Sequence, residues 1–120
     1  MRILGLDPSL SSTGWGIIEV ESNRMRYVAD GYIKTDAKMN IADRLAVIHN
    51  CLNEVLAAYR PDEAAIEQVF LNDNPTSTIK LGMARGVVIL APSLFGITVT
   101  EYEPNKIKKA VVGVGKAAKN

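Results

Sequence analysis

Several things are scarce in this sequence. It has one cysteine, Cys51, in 120 residues, which excludes an internal disulfide and fits a reducing cytoplasm. It has one histidine, His49. Aromatics make up 6% of the chain, and no apolar run approaches the roughly 18 residues that a membrane-spanning helix needs. Acids are missing after Glu103. The opening Met1-Arg2-Ile3-Leu4-Gly5 runs straight into a strand-like pattern, so no secretory leader is expected.

What remains is enough for one domain. At 120 residues and 48% hydrophobic content the chain can bury a core without staples. The net charge of +1 hides an uneven distribution: Lys106, Lys108, Lys109, Lys116 and Lys119 all fall in the acid-free stretch 104–120, whereas every one of the 13 Asp and Glu lies before it. Carboxylates in the body and lysines near the end suit an enzyme that uses cations on a polyanion, and equally suit a solvated basic segment.

The apolar pattern predicts a strand over Arg2–Asp7, a polar turn at Ser9–Thr13, a second strand over Gly14–Val20, a turn at Glu21–Arg24 and a third strand over Met25–Lys34, an antiparallel meander. Ile41, Leu45, Ile48, Leu52, Val55 and Leu56 share one helical face, predicting a helix over Ile41–Tyr59 with Asn40 as its cap and Arg60-Pro61-Asp62 as its stop. A fourth strand follows at Ala64–Val69. Asn74-Pro75 starts a second helix, expected to run to about Ala91 with Pro92 ending or kinking it. Its Gly82 and Gly86 permit close approach of another backbone, and its apolar Val87-Val88-Ile89-Leu90 belongs in a core or an interface. Ile97–Tyr102 reads as a fifth strand, Pro104–Ala110 as a short helix, Val111–Gly115 as a loop, and Lys116–Asn120 as the first turn of another helix. The order implies an α/β fold, a mixed five-stranded sheet flanked by helices.

Two acids stand out. Asp7 and Glu67 each close an otherwise apolar strand, and carboxylates are rarely buried unless paired or on a metal. If their strands are neighbours, the two could hold a Mg²⁺ ion; alternatively each simply ends its strand, exposed and paired with a base. His49 and Cys51 lie on the first helix and Trp15 on the second strand, all three most simply packing residues.

Four ordered blocks carry a family resemblance: Leu4-Gly5-Leu6-Asp7-Pro8 with Thr13-Gly14-Trp15-Gly16, then Ala65-Ile66-Glu67-Gln68-Val69-Phe70, then Lys80-Leu81-Gly82-Met83-Ala84-Arg85-Gly86, then Val111-Val112-Gly113-Val114-Gly115. Together they resemble the RuvC type of Holliday-junction resolvases over nearly the whole chain. The resemblance implies one ribonuclease-H-like nuclease domain over residues 1–120, incomplete at its C-terminus with the last helices missing. It implies Asp7 and Glu67 as catalytic ligands of Mg²⁺ or Mn²⁺, Phe70 at the bases of the junction, and Lys108 and Lys119 on DNA. It further implies a homodimer through the helix near Pro75–Ala91, four-way junction DNA as substrate, and a branch-migration motor as a further partner. Ser9 departs from the glycine common after Asp-Pro in the family. The family's Asp-x-x-Asp pair is expected beyond position 120, so weak or absent cutting is expected of these 120 residues, and a non-catalytic junction-binding or dimerisation module is the alternative. The Asp7…Thr13-Gly14 segment also resembles the phosphate hairpin of actin-like ATPases and sugar kinases, which need two such lobes and hence a longer chain.

Overall fold

The computed structural model describes residues 1–68 and 74–102. It contains β1 (Arg2–Asp7), β2 (Ser12–Glu21), β3 (Arg24–Lys34), α1 (Ile41–Tyr59), β4 (Glu63–Glu67), α2 (Pro75–Leu94) and β5 (Thr98–Tyr102). The five strands form one mixed sheet in the order β3-β2-β1-β4-β5. The meander β1-β2-β3 is antiparallel; β4 lies parallel to β1, and β5 parallel to β4. The expected short helix, loop and final turn after Glu103 fall outside the described residues.

The meander strands are longer than their apolar cores suggested. Ser12 pairs with Lys34 and Glu21 with Arg24, so polar residues expected in turns extend the ladder. Backbone hydrogen bonding, available to any residue but proline, continues past the last apolar side chain. The hairpin closes through Ser22-Asn23 alone, with Ser22 in the left-handed region at φ 54°. Between Ile17 and Ile18 the β2–β3 register shifts: Ile17 faces Ala29 while Ile18 faces Tyr27, leaving Val28 as the extra residue of a bulge.

The α1 helix occupies the expected span. The Asn40 side chain accepts from the Asp43 N–H at 2.8 Å, and Arg60 turns left-handed with its N–H on the Leu56 carbonyl at 2.9 Å. The buried stripe, however, is Arg44, Ile48, Leu52, Val55 and Leu56, while Ile41 is exposed. In α2, Pro92 does not end the helix, which continues to Leu94. Proline forfeits one hydrogen bond to the carbonyl four residues back, but this close to the C-terminus its own carbonyl is needed as an acceptor and takes the N–H groups of Phe95 and Ile97, both at 3.0 Å. Gly96, at φ 78°, then reverses the chain into β5.

Both helices cover the same face of the sheet. Leu4, Leu6, Ile17, Ile33, Ala64 and Ile66 pack there against Ile48, Leu52 and Leu56 of α1 and Ala84, Val88 and Ala91 of α2. Trp15 and Cys51 pack at the margin of this core, and His49 is half-buried beside Asn53, as expected of packing residues. Gly31 faces Trp15 across the ladder, and a Cβ there would stand 2.9 Å from the indole ring, so glycine lets the ring lie over β3. Trp15 also meets Tyr59, with ring centroids 5.8 Å apart. No helix among the described residues is long and apolar enough to cross a membrane.

At the starting ends of β1 and β4 the two strands are clamped together. The Arg2 N–H donates to Asp62 Oδ2 at 2.8 Å, the Asp62 N–H donates to the Arg2 carbonyl at 2.9 Å, and Arg2 Nη1 donates to the Tyr59 carbonyl at 2.7 Å. The same arginine bonds Glu19 through Nε at 2.9 Å, and the amino terminus also reaches Glu19, at 3.3 Å. These two positive groups, Arg2 first, hold the Glu19 carboxyl below its ordinary pKa.

Candidate active site

In the β1–β4 ladder Ile3 faces Glu63, Leu4 faces Ala64, Gly5 faces Ala65 and Leu6 faces Ile66. One further step of that register sets Asp7 beside Glu67, one strand spacing away, about 4.8 Å. Side chains alternate along a strand. Because Leu4, Leu6, Ala64 and Ile66 point into the helix-covered core, Asp7 and Glu67 point together to the opposite face. Both are half-buried and neither lacks partners.

The neighbours keep this edge open yet firm. Asp7 pairs with Gly14 in the β1–β2 ladder, and Gly14 pairs with Tyr32 on β3. A Cβ at position 14 would lie 3.5 Å from the Asp7 Cβ and 3.3 Å from Tyr32 Cε1, so the absent side chain leaves room between the carboxylate and the ring. On the β4 side, Arg85 of α2 donates from Nη2 to the Glu67 carbonyl at 3.3 Å and to Glu101 Oε1 at 3.0 Å. The Gln68 N–H reaches the Tyr102 carbonyl at 2.7 Å. One guanidinium thus ties α2, the end of β4 and β5 together. Its Nε is buried without a partner among the described residues.

Two carboxylates on one face of a sheet edge suit a hard divalent ion, which takes one or two carboxylates and completes its shell with water and substrate phosphate. The described residues contain no group of three or more His, Cys, Asp or Glu that could hold a metal. Phe70, Lys108 and Lys119 lie outside the described residues.

Arg44 and Arg85 were missed as site-shaping residues in the sequence. Arg44 had a visible signal, since it lies four and eight residues before Ile48 and Leu52 and thus in the buried stripe. Arg85 had none, because its partners come from two strands that only the sheet order brings together.

Residues 3–120 match the family described as crossover junction endodeoxyribonuclease RuvC. The protein of that name from Rhodospirillum rubrum is 57% identical over the whole chain, which spans 71% of its length. The one from Paramagnetospirillum magneticum is 55% identical over 99% of the chain and 72% of its own length. Among solved structures, T. thermophilus RuvC in complex with a Holliday junction substrate superposes with a TM-score of 0.83 at 30% identity, over 96% of this chain and 70% of that one. With its core, its strand order and its sequence all in agreement, this chain belongs to the RuvC family of crossover junction endodeoxyribonucleases.

Proposed function

We propose that the chain is the nuclease domain of a structure-selective endonuclease that nicks four-way (Holliday) DNA junctions by metal-assisted hydrolysis of a phosphodiester, in recombination and repair. One observation carries this most directly: the shared register of β1 and β4, which aims Asp7 and Glu67 at the same side of one sheet edge. These two acids are the proposed ligands of a divalent ion, Mg²⁺ or Mn²⁺. When bound, such an ion polarises the phosphodiester and readies a water for in-line attack. The chain's own residues do the rest. Gly14 keeps the approach clear, Arg85 fixes the Glu67 backbone, and Phe70, Lys108 and Lys119 are proposed to meet the bases and phosphates of the junction.

The substrate has two strands to nick, so a two-fold enzyme matches it. A stripe on α2 supports a homodimer. Ile79, Met83, Leu90 and Leu94 recur at helical spacing and are all exposed, from 40% to 69%, with Gly86 among them and nothing within 4 Å of its would-be Cβ.

Nicking of a four-way junction with Mg²⁺ or Mn²⁺ tests the proposal, run on these 120 residues and on a version extended to the relatives' full length. Symmetric nicks by the extended version, lost in Asp7→Asn, support it. A second possibility, a module that binds junctions without cutting, draws on the absence of a three-ligand group among the described residues. Binding by both versions with nicking by neither would establish it.

A further inference from the structure

Beside the acidic edge, on the helix-covered side, lies a cleft of about 300 Å³ that the two-carboxylate chemistry does not use. Ser9 and Ser11 of the β1–β2 turn, Arg44 of α1, and Ser77 and Lys80 of the first turns of α2 line it. Ser9 follows Asp7 by two residues, so the cleft opens at the same end of the sheet as the proposed metal ligands. Among the described residues two cations and three hydroxyls line it, and no carboxylate does.

Arg44 is the unusual member. It is 94% buried by its 6% exposure, yet it makes no ion pair among the described residues. Its bonds among the described residues go to neutral hydroxyls, Nε to Thr35 Oγ1 at 2.9 Å and Nη2 to Ser11 Oγ at 3.3 Å. The nearby acids of its own segment are otherwise engaged: Asp43 accepts from Asn40 Nδ2 at 3.0 Å and Asp36 from the Lys38 N–H at 2.9 Å. A guanidinium has five N–H donors in a planar fork that matches phosphate oxygens. Burying such a charge with only hydroxyls for company is unfavourable unless an anion completes the site. If Arg44 were only a strut joining β3 to the β1–β2 turn, a neutral donor would serve there without that cost.

We propose that this cleft is a phosphate subsite, in which Arg44 and Lys80 hold a backbone phosphate of the DNA that flanks the one being cut. Ser9, Ser11 and Ser77 add hydroxyl donors around it. The subsite anchors the DNA at the end of the sheet that carries Asp7 and Glu67. It rests on the nuclease function proposed above and adds to it a contact on the sheet's other side.

The test reads the salt dependence of DNA binding by the 120-residue chain, on a four-way junction and on a linear duplex, between roughly 50 and 200 mM salt. Lys80 is exposed and makes no ion pair among the described residues, so Lys80→Gln should keep the fold. It should lower the slope of log K against log salt by about 0.9, the loss of one phosphate contact. Arg44→Lys keeps the charge and should weaken binding without that fall in slope. Arg26→Gln, an exposed position near the hairpin at the sheet's other end, should leave the slope unchanged. In parallel, inorganic phosphate should shift the Arg44 Nε–Hε NMR signal of the wild type and fail to do so in Lys80→Gln. An unchanged slope in Lys80→Gln, or an equal fall in Arg26→Gln, overturns the subsite. A phosphate-induced shift with an unchanged slope also overturns it, by making the cleft a site for free phosphate. Loss of junction preference and cutting in the wild type would defeat the nuclease assignment alone, because the slope is still read on the duplex.

Discussion

Gly14 stands directly across the β1–β2 ladder from Asp7, and a side chain at position 14 would sit 3.5 Å from the Asp7 Cβ and 3.3 Å from the Tyr32 ring. The space beside the carboxylate is therefore created by a residue that contributes no functional group. Gly14→Val should cut the nicking rate much more than it lowers the melting temperature, since β-branched residues suit a strand. Adding Tyr32→Ala should return part of the lost rate by freeing space on one side. Single-turnover nicking and thermal denaturation of the two variants check this; equal activity of Gly14→Val and wild type would remove the glycine from the site.

Asp7→Asn and Glu67→Gln should each abolish cutting, by roughly a thousandfold or more, the scale of losing several kcal/mol of transition-state stabilisation. Junction affinity, read in the same samples by fluorescence anisotropy, should change by less than about tenfold. Unchanged nicking in either variant would take that acid out of the mechanism.

Glu19 supplies a pH prediction. Its carboxyl is held low by Arg2 and the amino terminus. A group whose folded pKa is depressed stabilises the fold above its unfolded value, near 4.3 for glutamate, and loses that contribution as pH falls through the folded value. Melting temperature should therefore drop more steeply with acidification in the wild type than in Glu19→Gln below about pH 4.3. Parallel curves for the two proteins would show that the Arg2–Glu19 contact does not couple to stability.

The exposed stripe on α2 predicts an oligomeric effect. Replacing Leu90 with Lys removes a side chain worth about 1.5–3 kcal/mol when fully buried. The dissociation constant of the proposed dimer should rise by roughly ten- to a hundredfold, measured by sedimentation equilibrium. The monomer's melting curve should hardly move, because Leu90 is half exposed within its own chain.

Much of this was legible in the sequence, for identifiable reasons. The span of α1 follows from its periodic leucines and isoleucines, its Asn40 cap and the Arg60-Pro61 stop, all local signals. Asp7 and Glu67 were visible as acids closing apolar strands, and the family blocks around them gave them a role. The facing of those acids was not legible, because it depends on a parallel pairing across sixty residues of chain. Strand ends were misjudged where serines and charged residues, such as Ser12 and Arg24, extend a ladder that hydropathy cannot see. The continuation of α2 past Pro92, where the sequence suggests an end or a kink, was not legible because the sequence does not show how near that residue lies to the helix end. Arg44 is inconspicuous in the sequence because apolar periodicity marks the leucines and isoleucines of the stripe and not the one cation inside it.

The Arg2–Asp62 clamp has a consequence at the far end of the molecule. Strand alignment is a whole-number choice, and a slip of one residue would turn Glu67 toward α2 while leaving Asp7 where it is. The two reciprocal bonds between Arg2 and Asp62 make that choice some five residues before the acids appear. A loosened clamp would thus yield protein that is folded, stable and chemically blind, its two proposed metal ligands divided between the two sides of the same sheet.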